Sequence, residues 1–249
     1  MADEESSDLL TVIIPCLNEE RNLPATVRDV LAVAHRLDLD VDVLLIDDGS
    51  TDGTKNVMEE LTAREARCRM RVNPRNLGLG RTVIAALDTL PPDSWVTVVP
   101  GDNEILFDSI EEFVTARGQY DLILGYLQNP VIRSMRRRMA SRIFTTIVGW
   151  LYGFSYRYLN GMKLYRAWVF QGIDIESSGH AYVAELLAKA ILRRPRLRVG
   201  EAPYAARGRA SGSSKAIRPR AIIRAVGDVW VGKASVTAYR KHVIASGQD

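Results

Sequence analysis

The sequence predicts an α/β fold in which a mostly parallel β-sheet is flanked by helices. Short apolar runs alternate with helical patterns through about the first 125 residues, as in successive βαβ units. Acidic and glycine residues follow these runs, where open α/β sheets bind ligands. The 249 residues are 47% hydrophobic and 25% charged, so the chain is long enough for one large domain with a filled core.

The elements follow one another in a regular order. Strands are predicted at 9–15, 41–48, 68–72, 94–100 and 121–125, with helices over 22–37, from about 51, and from about 78 to 90. The second half predicts helices at about 133–154 and 180–192, a strand at 197–203, a glycine- and serine-rich loop at 207–215 and a basic helix at 216–243. We expect one domain over 1–215, divided into halves at about 9–125 and 126–215. A C-terminal tail over 216–249 is not expected to form an independent domain.

Charge is distributed unevenly between the two halves. Residues 1–120 hold 11 Lys and Arg against 23 Asp and Glu, a net charge of −12, whereas residues 121–249 hold 22 against 7, a net charge of +15. The basic half predicts contact with an anionic partner. Nucleic acid is a remote alternative, because the aromatic residues are not interleaved as base-stacking platforms and the acidic half would repel phosphate.

The sequence predicts a cytoplasmic protein that does not cross a membrane by itself. No uncharged run reaches the roughly 18–20 residues that span a bilayer, and the longest, 143–156, suits a buried or interfacial helix. The first residues, MADEESSD, are unlike a secretory or transit signal. Cys16 and Cys68 lack the spacing of a metal or redox pair, which favours a reducing compartment.

Three polar turns are candidates for chemistry. Asp47 and Asp48 end the second strand, where carboxylates can accept hydrogen bonds from a ribose or a base; helix capping and turn formation explain them equally well. Asp102 and Glu104 can present two carboxylates to a divalent cation that holds a diphosphate, although a solvated acidic turn is the alternative. Gly78 opens a helix but lacks the rest of a phosphate-binding fingerprint, so packing is its other role.

Together these motifs resemble those of family 2 glycosyltransferases. Within that family the chain is similar to the dolichol-phosphate mannose synthases and bacterial polyprenyl-phosphate glycosyltransferases. The resemblance covers about residues 10–215. The matching segments, in family order, are VIIPCLNEERNL (12–23), LLIDDGSTDGT (44–54), RNLGLGRTVIAAL (75–87), VTVVPGDNE (96–104), NGMKLYR (160–166), GHAYVAELL (179–187) and R-x-x-G-x-S-K (209–215).

The resemblance implies a GT-A fold with a UDP- or GDP-linked sugar bound over the first two strands. It also implies an Mg²⁺ or Mn²⁺ ion at Asp102 and Glu104, although Pro100 stands where the family has an aspartate. The residues that it assigns to the nucleotide sugar are Pro15, Asn18, Glu19, Asp47, Asp48, Gly78 and Asp102. The enzyme would be a metal-dependent, inverting hexosyl- or N-acetylhexosaminyltransferase that makes a glycolipid of the cell envelope.

The expected acceptor is a polyprenyl phosphate. Family members that glycosylate a hydroxyl usually carry an acidic pair just before the position of Glu185, and this chain lacks that pair. Tyr126 and Leu127 replace a Ser-Arg pair of the mannose synthases, so Arg133 or the 136–138 cluster would supply the missing charge. The residues matching the acceptor-phosphate site are Arg137, Arg138, Ser141, Arg142 and Arg209. Those expected to act in the transfer are Asp102, Arg137, Arg138, Arg209 and Lys215. A glycosyltransferase acting on a sugar or other hydroxyl is the alternative.

The long helix of the second half combines basic residues with an apolar stripe. The stripe comprises Met135, Met139, Ile143, Ile147, Trp150 or Leu151, and Phe154. Such a helix suits the interface of an anionic membrane, which places the enzyme peripherally at the cytoplasmic face. A core helix with a charged outer side is the alternative. The sequence leaves open whether a second copy or a membrane protein is a further partner.

Overall fold

A computed structural model of the chain describes residues 9–132, 135–177, 179–207 and 219–245. A seven-stranded sheet forms its centre, in the order β3-β2-β1-β4-β6-β5-β7. The strands are β1 (Leu10–Cys16), β2 (Val41–Asp47), β3 (Cys68–Val72), β4 (Trp95–Val98), β5 (Leu122–Leu127), β6 (Lys163–Arg166) and β7 (Val199–Tyr204). The α-helices are α1 (Leu23–Arg36), α2 (Thr54–Arg64), α3 (Leu79–Leu87), α4 (Ile110–Ala116), α5 (Met135–Tyr152), α6 (Tyr182–Arg193) and α7 (Pro219–Ala245).

The sheet is mostly parallel, which confirms the predicted fold class. β1 pairs in parallel with β2 and β4, and β2 pairs in parallel with β3. β6 is antiparallel to both of its neighbours, β4 and β5. The segment that forms β6 was predicted as a motif but not as a strand, because four residues, KLYR, are too few to show an alternating pattern.

Each face of the sheet packs against helices. The side chains of β1 alternate between the two cores, with Ile13 in one and Val12 and Ile14 in the other. The first core also contains residues of α3, α5, α6 and α7, and the second contains residues of α1, α2 and α4. All seven residues of β1 are buried, as expected for a central parallel strand covered on both faces.

Several predicted boundaries differ from the observed ones. α2 begins at Thr54 and not near Thr51, because the Asp52 carboxylate accepts hydrogen bonds from the amide and hydroxyl of Thr54 (3.0 and 2.5 Å) ahead of the first turn. α4, over seven residues, was not predicted, since two turns give too little apolar periodicity.

The C-terminal helix packs on the rest of the domain. In α7, Val229 and Val236 are buried, and Gly232 fits where a Cβ atom would lie 2.7 Å from the Tyr152 hydroxyl. The Tyr152 hydroxyl donates a hydrogen bond to the Val229 carbonyl (3.1 Å). α7 therefore contributes to the core, while the boundary predicted at residue 215 lies outside the described residues.

Candidate functional site

The carboxyl ends of β1, β2 and β4 meet at one edge of the sheet. Cys16 is paired with Asp47 across β1 and β2, and the Asp48 amide donates to the Cys16 carbonyl (2.9 Å). Beyond the end of β4, the Gly101 amide donates to the Pro15 carbonyl (3.2 Å). The sheet therefore brings Pro15, Asp47 and the turn at 101–104 together, as the sequence predicts.

Negative charge is concentrated at this edge. Burial raises the pKa of the Cys16 thiol, and the nearby carboxylates of Glu19, Asp47 and Asp102 raise it further. Gly101 lies where a Cβ atom would approach the Cys16 sulfur to 2.6 Å, so a larger residue would displace the acidic turn. The negative charge of this edge favours the binding of a cation, or of an anion that binds together with a cation.

The turn after β1 is joined to the turn after β2. Asn18 has a left-handed backbone (φ 61°), its amide donates to the Ser50 hydroxyl (3.0 Å), and its side-chain oxygen accepts from the Thr51 amide (2.8 Å). The Glu19 amide donates to the Thr54 hydroxyl (2.8 Å). Asn18 and Glu19 therefore lie beside Asp47, in the group that the sequence predicts, and their backbone is held from both sides.

Asp48 is buried and accepts hydrogen bonds from within the chain. Its Oδ1 accepts from the Asn73 side chain (2.9 Å), the Leu77 amide (2.9 Å) and the Thr82 hydroxyl (2.9 Å). Its Oδ2 accepts from the Gly78 amide (3.0 Å). Through these bonds, Asp48 stabilises the loop before α3. A contact of Asp48 with a base or ribose stays a prediction.

Gly78 has the left-handed φ (84°) that glycine readily adopts, and a Cβ atom there would meet no neighbour within 4 Å. Its amide donates both to Asp48 and to the Asn76 side-chain oxygen (2.9 Å). The N–H group that a phosphate cradle would use is thus already engaged. The geometry favours turn formation at Gly78, and donor binding there stays a prediction.

The turn at 101–104 presents the two carboxylates predicted to hold a metal ion. The Asp102 Oδ1 accepts from the Glu104 amide (3.2 Å), and Asn103 between them has a left-handed φ of 54°. Within the described part of the chain, no three His, Cys, Asp or Glu side chains are grouped so as to hold a metal ion alone. Mg²⁺ is commonly bound by one or two carboxylates together with substrate phosphates, so these two residues fit an ion shared with a diphosphate.

The long helix α5 exposes the predicted apolar stripe. Met135 is 68% and Trp150 82% exposed, and Met139, Ile143 and Ile147 are also exposed. Leu151 and Phe154 instead pack against the core, so Trp150 is the member of the stripe at that turn. The core-helix alternative therefore holds for Leu151 and Phe154 but not for the five exposed residues. No helix within the described ranges has both the length and the apolar character needed to cross a bilayer.

The basic residues of α5 are only partly described. Arg142 is exposed and Ser141 is partly buried, while the buried Nε of Arg138 has no hydrogen-bond partner among the described residues. Arg137 belongs to the same helix, but its side chain is outside the described part. Arg209 and Lys215 lie in the segment 208–218, which is also outside it.

Glu185 is fully buried in an ion pair. Its Oε1 accepts from the Lys189 ammonium (2.8 Å), and its Oε2 accepts from the Ser177 amide (2.8 Å) and hydroxyl (2.5 Å). Burial alone would raise the pKa of Glu185, but the bonds from Lys189 and Ser177 outweigh it and lower the pKa. The Lys189 ammonium also donates to the Ser235 hydroxyl (2.8 Å), which ties α6 to α7. Glu185 therefore forms a structural ion pair with Lys189, and this arrangement does not suit a general base.

Sequence reasoning missed two residues that the structure brings near the site. Arg207 contacts the acidic turn through Asn103 (3.3 Å between Nη1 and Oδ1). Lys163, in β6, lines a cavity of about 30 Å³ together with Val98, Gly161 and Tyr182, and burial lowers the pKa of Lys163 to about 7. Lys163 lies within the motif NGMKLYR (160–166), so the sequence could have indicated it as a candidate site residue. No local sequence pattern indicates Arg207.

A comparison with protein families matches residues 11–182 to the model described as glycosyl transferase family 2. Among curated relatives, an undecaprenyl-phosphate 4-deoxy-4-formamido-L-arabinose transferase of Aeromonas hydrophila is 30% identical over 141 residues, covering 56% of this chain and 43% of the relative. A dodecaprenyl-phosphate galacturonate synthase of Rhizobium johnstonii is 26% identical over 214 residues (83% and 61%). A polyprenol monophosphomannose synthase of Mycolicibacterium smegmatis is 28% identical over 198 residues (72% and 71%). The chain thus spans less than two thirds of the length of the first two relatives.

Among solved structures, glucosyl-3-phosphoglycerate synthase from Mycobacterium tuberculosis, in complex with Mn²⁺, UDP-glucose and phosphoglyceric acid, superposes with a TM-score of 0.66. The match covers 91% of this chain and 80% of that one at 15% sequence identity. The same enzyme in complex with Mg²⁺ and UDP gives a TM-score of 0.62 at 16% identity. At this identity the likeness concerns the fold.

Proposed function

The chain belongs to glycosyl transferase family 2, and from that premise we propose that it transfers a sugar from a UDP- or GDP-linked donor to a polyprenyl phosphate. The relatives named above, which act on undecaprenyl, dodecaprenyl and polyprenol phosphates, support this acceptor class. The observation that carries the proposal is α5, which combines an exposed apolar face with a buried Arg138 Nε that has no hydrogen-bond partner in the described part of the chain.

The donor would bind across the edge formed by β1, β2 and β4. Pro15, Asn18, Glu19 and Asp47 are held there by the bonds between the two turns. Asp102 and Glu104 would hold Mg²⁺ or Mn²⁺, which when bound offsets the charge of the departing diphosphate. Without that offset, the negative charge of this edge would repel a nucleoside diphosphate.

The acceptor phosphate is an anion at neutral pH and attacks without losing a proton to a base. One of its oxygens forms a bond to the anomeric carbon as the bond from that carbon to the diphosphate breaks, so that the nucleoside diphosphate leaves from the opposite side. This single displacement inverts the anomeric configuration. Glu185, the one carboxylate in the α6 sequence, is bound to Lys189 and Ser177, which supports a reaction that needs no base from this helix.

The basic residues of α5 would position the acceptor phosphate. Arg138, Ser141 and Arg142 lie on the first half of that helix, and Arg137 belongs to the same stretch. The exposed residues Met139, Ile143 and Trp150 would enter the interface of an anionic membrane, with the basic side chains at the level of its headgroups. The enzyme would then act as a peripheral protein at the membrane that holds its lipid acceptor.

A donor screen tests this function. Purified enzyme is incubated with Mn²⁺ or Mg²⁺, a panel of UDP- and GDP-sugars and a short-chain polyprenyl phosphate, and the glycolipid is detected by mass spectrometry. We expect product with the phosphorylated lipid and none with free polyprenol. Efficient glycosylation of free polyprenol, or of a sugar hydroxyl, would contradict the proposed acceptor and favour a hydroxyl-specific enzyme.

A further inference from the structure

Arg207 lies where the acidic turn, helix α1 and the chain leaving β7 meet. Its Nη1 donates to the Asp29 carboxylate of α1 (2.7 Å) and to the Asn103 side-chain oxygen (3.3 Å). Its backbone amide donates to the Glu104 carbonyl (2.8 Å). One residue thus contacts α1 and two residues of the acidic turn.

Backbone contacts reinforce this junction. Ile105 and Ala206 form an antiparallel bridge, and the Leu106 amide donates to the Ala205 carbonyl (3.1 Å). The Asn129 side chain accepts from the Ala206 amide (3.1 Å) and donates to the Ala206 carbonyl (2.8 Å). Asn129 precedes α5, so the segment before Arg207 is fixed both to the acidic turn and to the chain that enters α5.

We propose that Arg207 is a positioning residue for the transfer reaction, which holds the acidic turn in its metal-binding shape. The inference rests on the proposed function.

The chemistry of the contacts supports positioning and not direct catalysis. The charge of Arg207 is matched by Asp29, so this guanidinium is already paired within the protein. Asn103 holds a left-handed backbone between Asp102 and Glu104, and the bond from Arg207 restrains its side chain. A guanidinium directs its hydrogens in a fixed plane, so it can serve two acceptors at once better than a flexible lysine can.

The test measures nucleotide binding directly, without turnover. The affinity for UDP and for GDP is measured by calorimetry with and without Mn²⁺, on the full chain and on Arg207→Met. Arg36→Met is the matched control, because Arg36 also joins α1 to a neighbouring segment, through Asp108 (2.9 Å), in a more exposed ion pair. Asn103→Gly is the second variant, since glycine keeps the left-handed backbone and removes only the side-chain contact.

We expect Arg207→Met and Asn103→Gly each to weaken Mn²⁺-dependent nucleotide binding about tenfold, the scale of one lost charge-assisted hydrogen bond. The melting temperatures should stay within about 4 °C of that of the wild-type protein, and Arg36→Met should bind normally. Normal nucleotide binding by Arg207→Met, or an equal loss of nucleotide affinity in Arg36→Met, would overturn this inference but leave the proposed function standing. A wild-type protein that binds neither UDP nor GDP with Mn²⁺ overturns the proposed function as well.

Discussion

The carboxyl ends of β1, β2 and β4, here called the donor edge, differ from the exposed face of α5. The polar groups of the donor edge bond to other groups of the chain, whereas the apolar side chains of that face of α5 lack such partners among the described residues. At the donor edge, Asn18 and Asp48 accept hydrogen bonds from neighbouring turns. On α5, Ile143 and Trp150 are instead exposed to solvent. The first region is held by hydrogen bonds within the chain, whereas the second presents apolar side chains to solvent.

This difference matches what each region is proposed to bind. A nucleotide sugar is small and polar, and a site that is rigid beforehand loses little conformational entropy when it binds. A lipid acceptor presents a charged headgroup on an extended apolar surface, which an exposed apolar face beside basic residues can contact over a large area. Variants at four positions test this difference between the donor edge and α5, from the largest expected effect to the smallest.

The largest effect is expected at the acidic turn. Asp102→Asn removes a charged ligand while keeping the size of the side chain, and turnover should fall by about a thousandfold, on the order of 4 kcal/mol. Steady-state rates over a range of Mn²⁺ concentrations measure the loss. Asp108→Asn, which changes an exposed aspartate nearby, is the control and should stay near wild-type activity. Full activity of Asp102→Asn in excess chelator would show that the turn holds no metal ion.

Membrane binding should depend on α5 and not on the donor edge. Trp150→Glu removes the most exposed aromatic side chain of the stripe and adds a negative charge, so partitioning to cardiolipin-rich vesicles should weaken about a hundredfold, roughly 3 kcal/mol. Sedimentation with vesicles measures it. Val72→Glu, at an exposed apolar position at the end of β3, is the control and should bind as the wild type does. Equal losses in the two variants would show that α5 is not the membrane-binding face.

Variants of Asp48 test whether the donor edge is held in shape by bonds within the chain or by a bound donor. Asp48→Asn removes the charge and replaces one acceptor oxygen by an NH2 group, so at least one of the four donors loses its acceptor. The free energy of unfolding should therefore fall by about 2–3 kcal/mol. Thr82→Val removes one of those donors, so the double variant should lose less than the sum of the two single losses. Denaturant titration of all three variants measures this coupling. Additive losses, with a rise confined to the donor KM, would instead place Asp48 in the donor site.

The sequence predicted the first half of the fold well because its central strands are buried on both faces and therefore read as continuous apolar runs. It could not predict β6, whose four residues are placed by pairing with β4 and β5, far away in sequence. The same limit applies to the site. The cluster of Pro15, Asn18, Glu19 and Asp47 follows from strand ends, but the contact of Arg207 with Asp29 joins residues 178 positions apart.

The last prediction concerns Lys163, which lies in β6, next to β4 of the donor edge. Burial lowers the pKa of this ammonium from 10.5 to about 7, and the ammonium donates to the Gly161 carbonyl (2.7 Å). Tyr165 and Tyr182, titratable neighbours that line the same cavity, stay uncharged up to pH 10.5, because burial raises their pKa values above that of a free tyrosine.

Between pH 7 and 10.5 the unfolded chain binds a proton at Lys163 that the folded chain does not, so the stability of the wild type should rise with pH across this window. Below pH 7 both states are protonated, and the folded state carries the full cost of a buried charge. Lys163→Met removes that cost, so it should be more stable than the wild type by about 1–2 kcal/mol at pH 6, and the advantage should vanish near pH 10.5. Denaturant titrations of both proteins from pH 6 to 10.5 measure the difference. A constant difference across this range would mean that Lys163 titrates as it does in water.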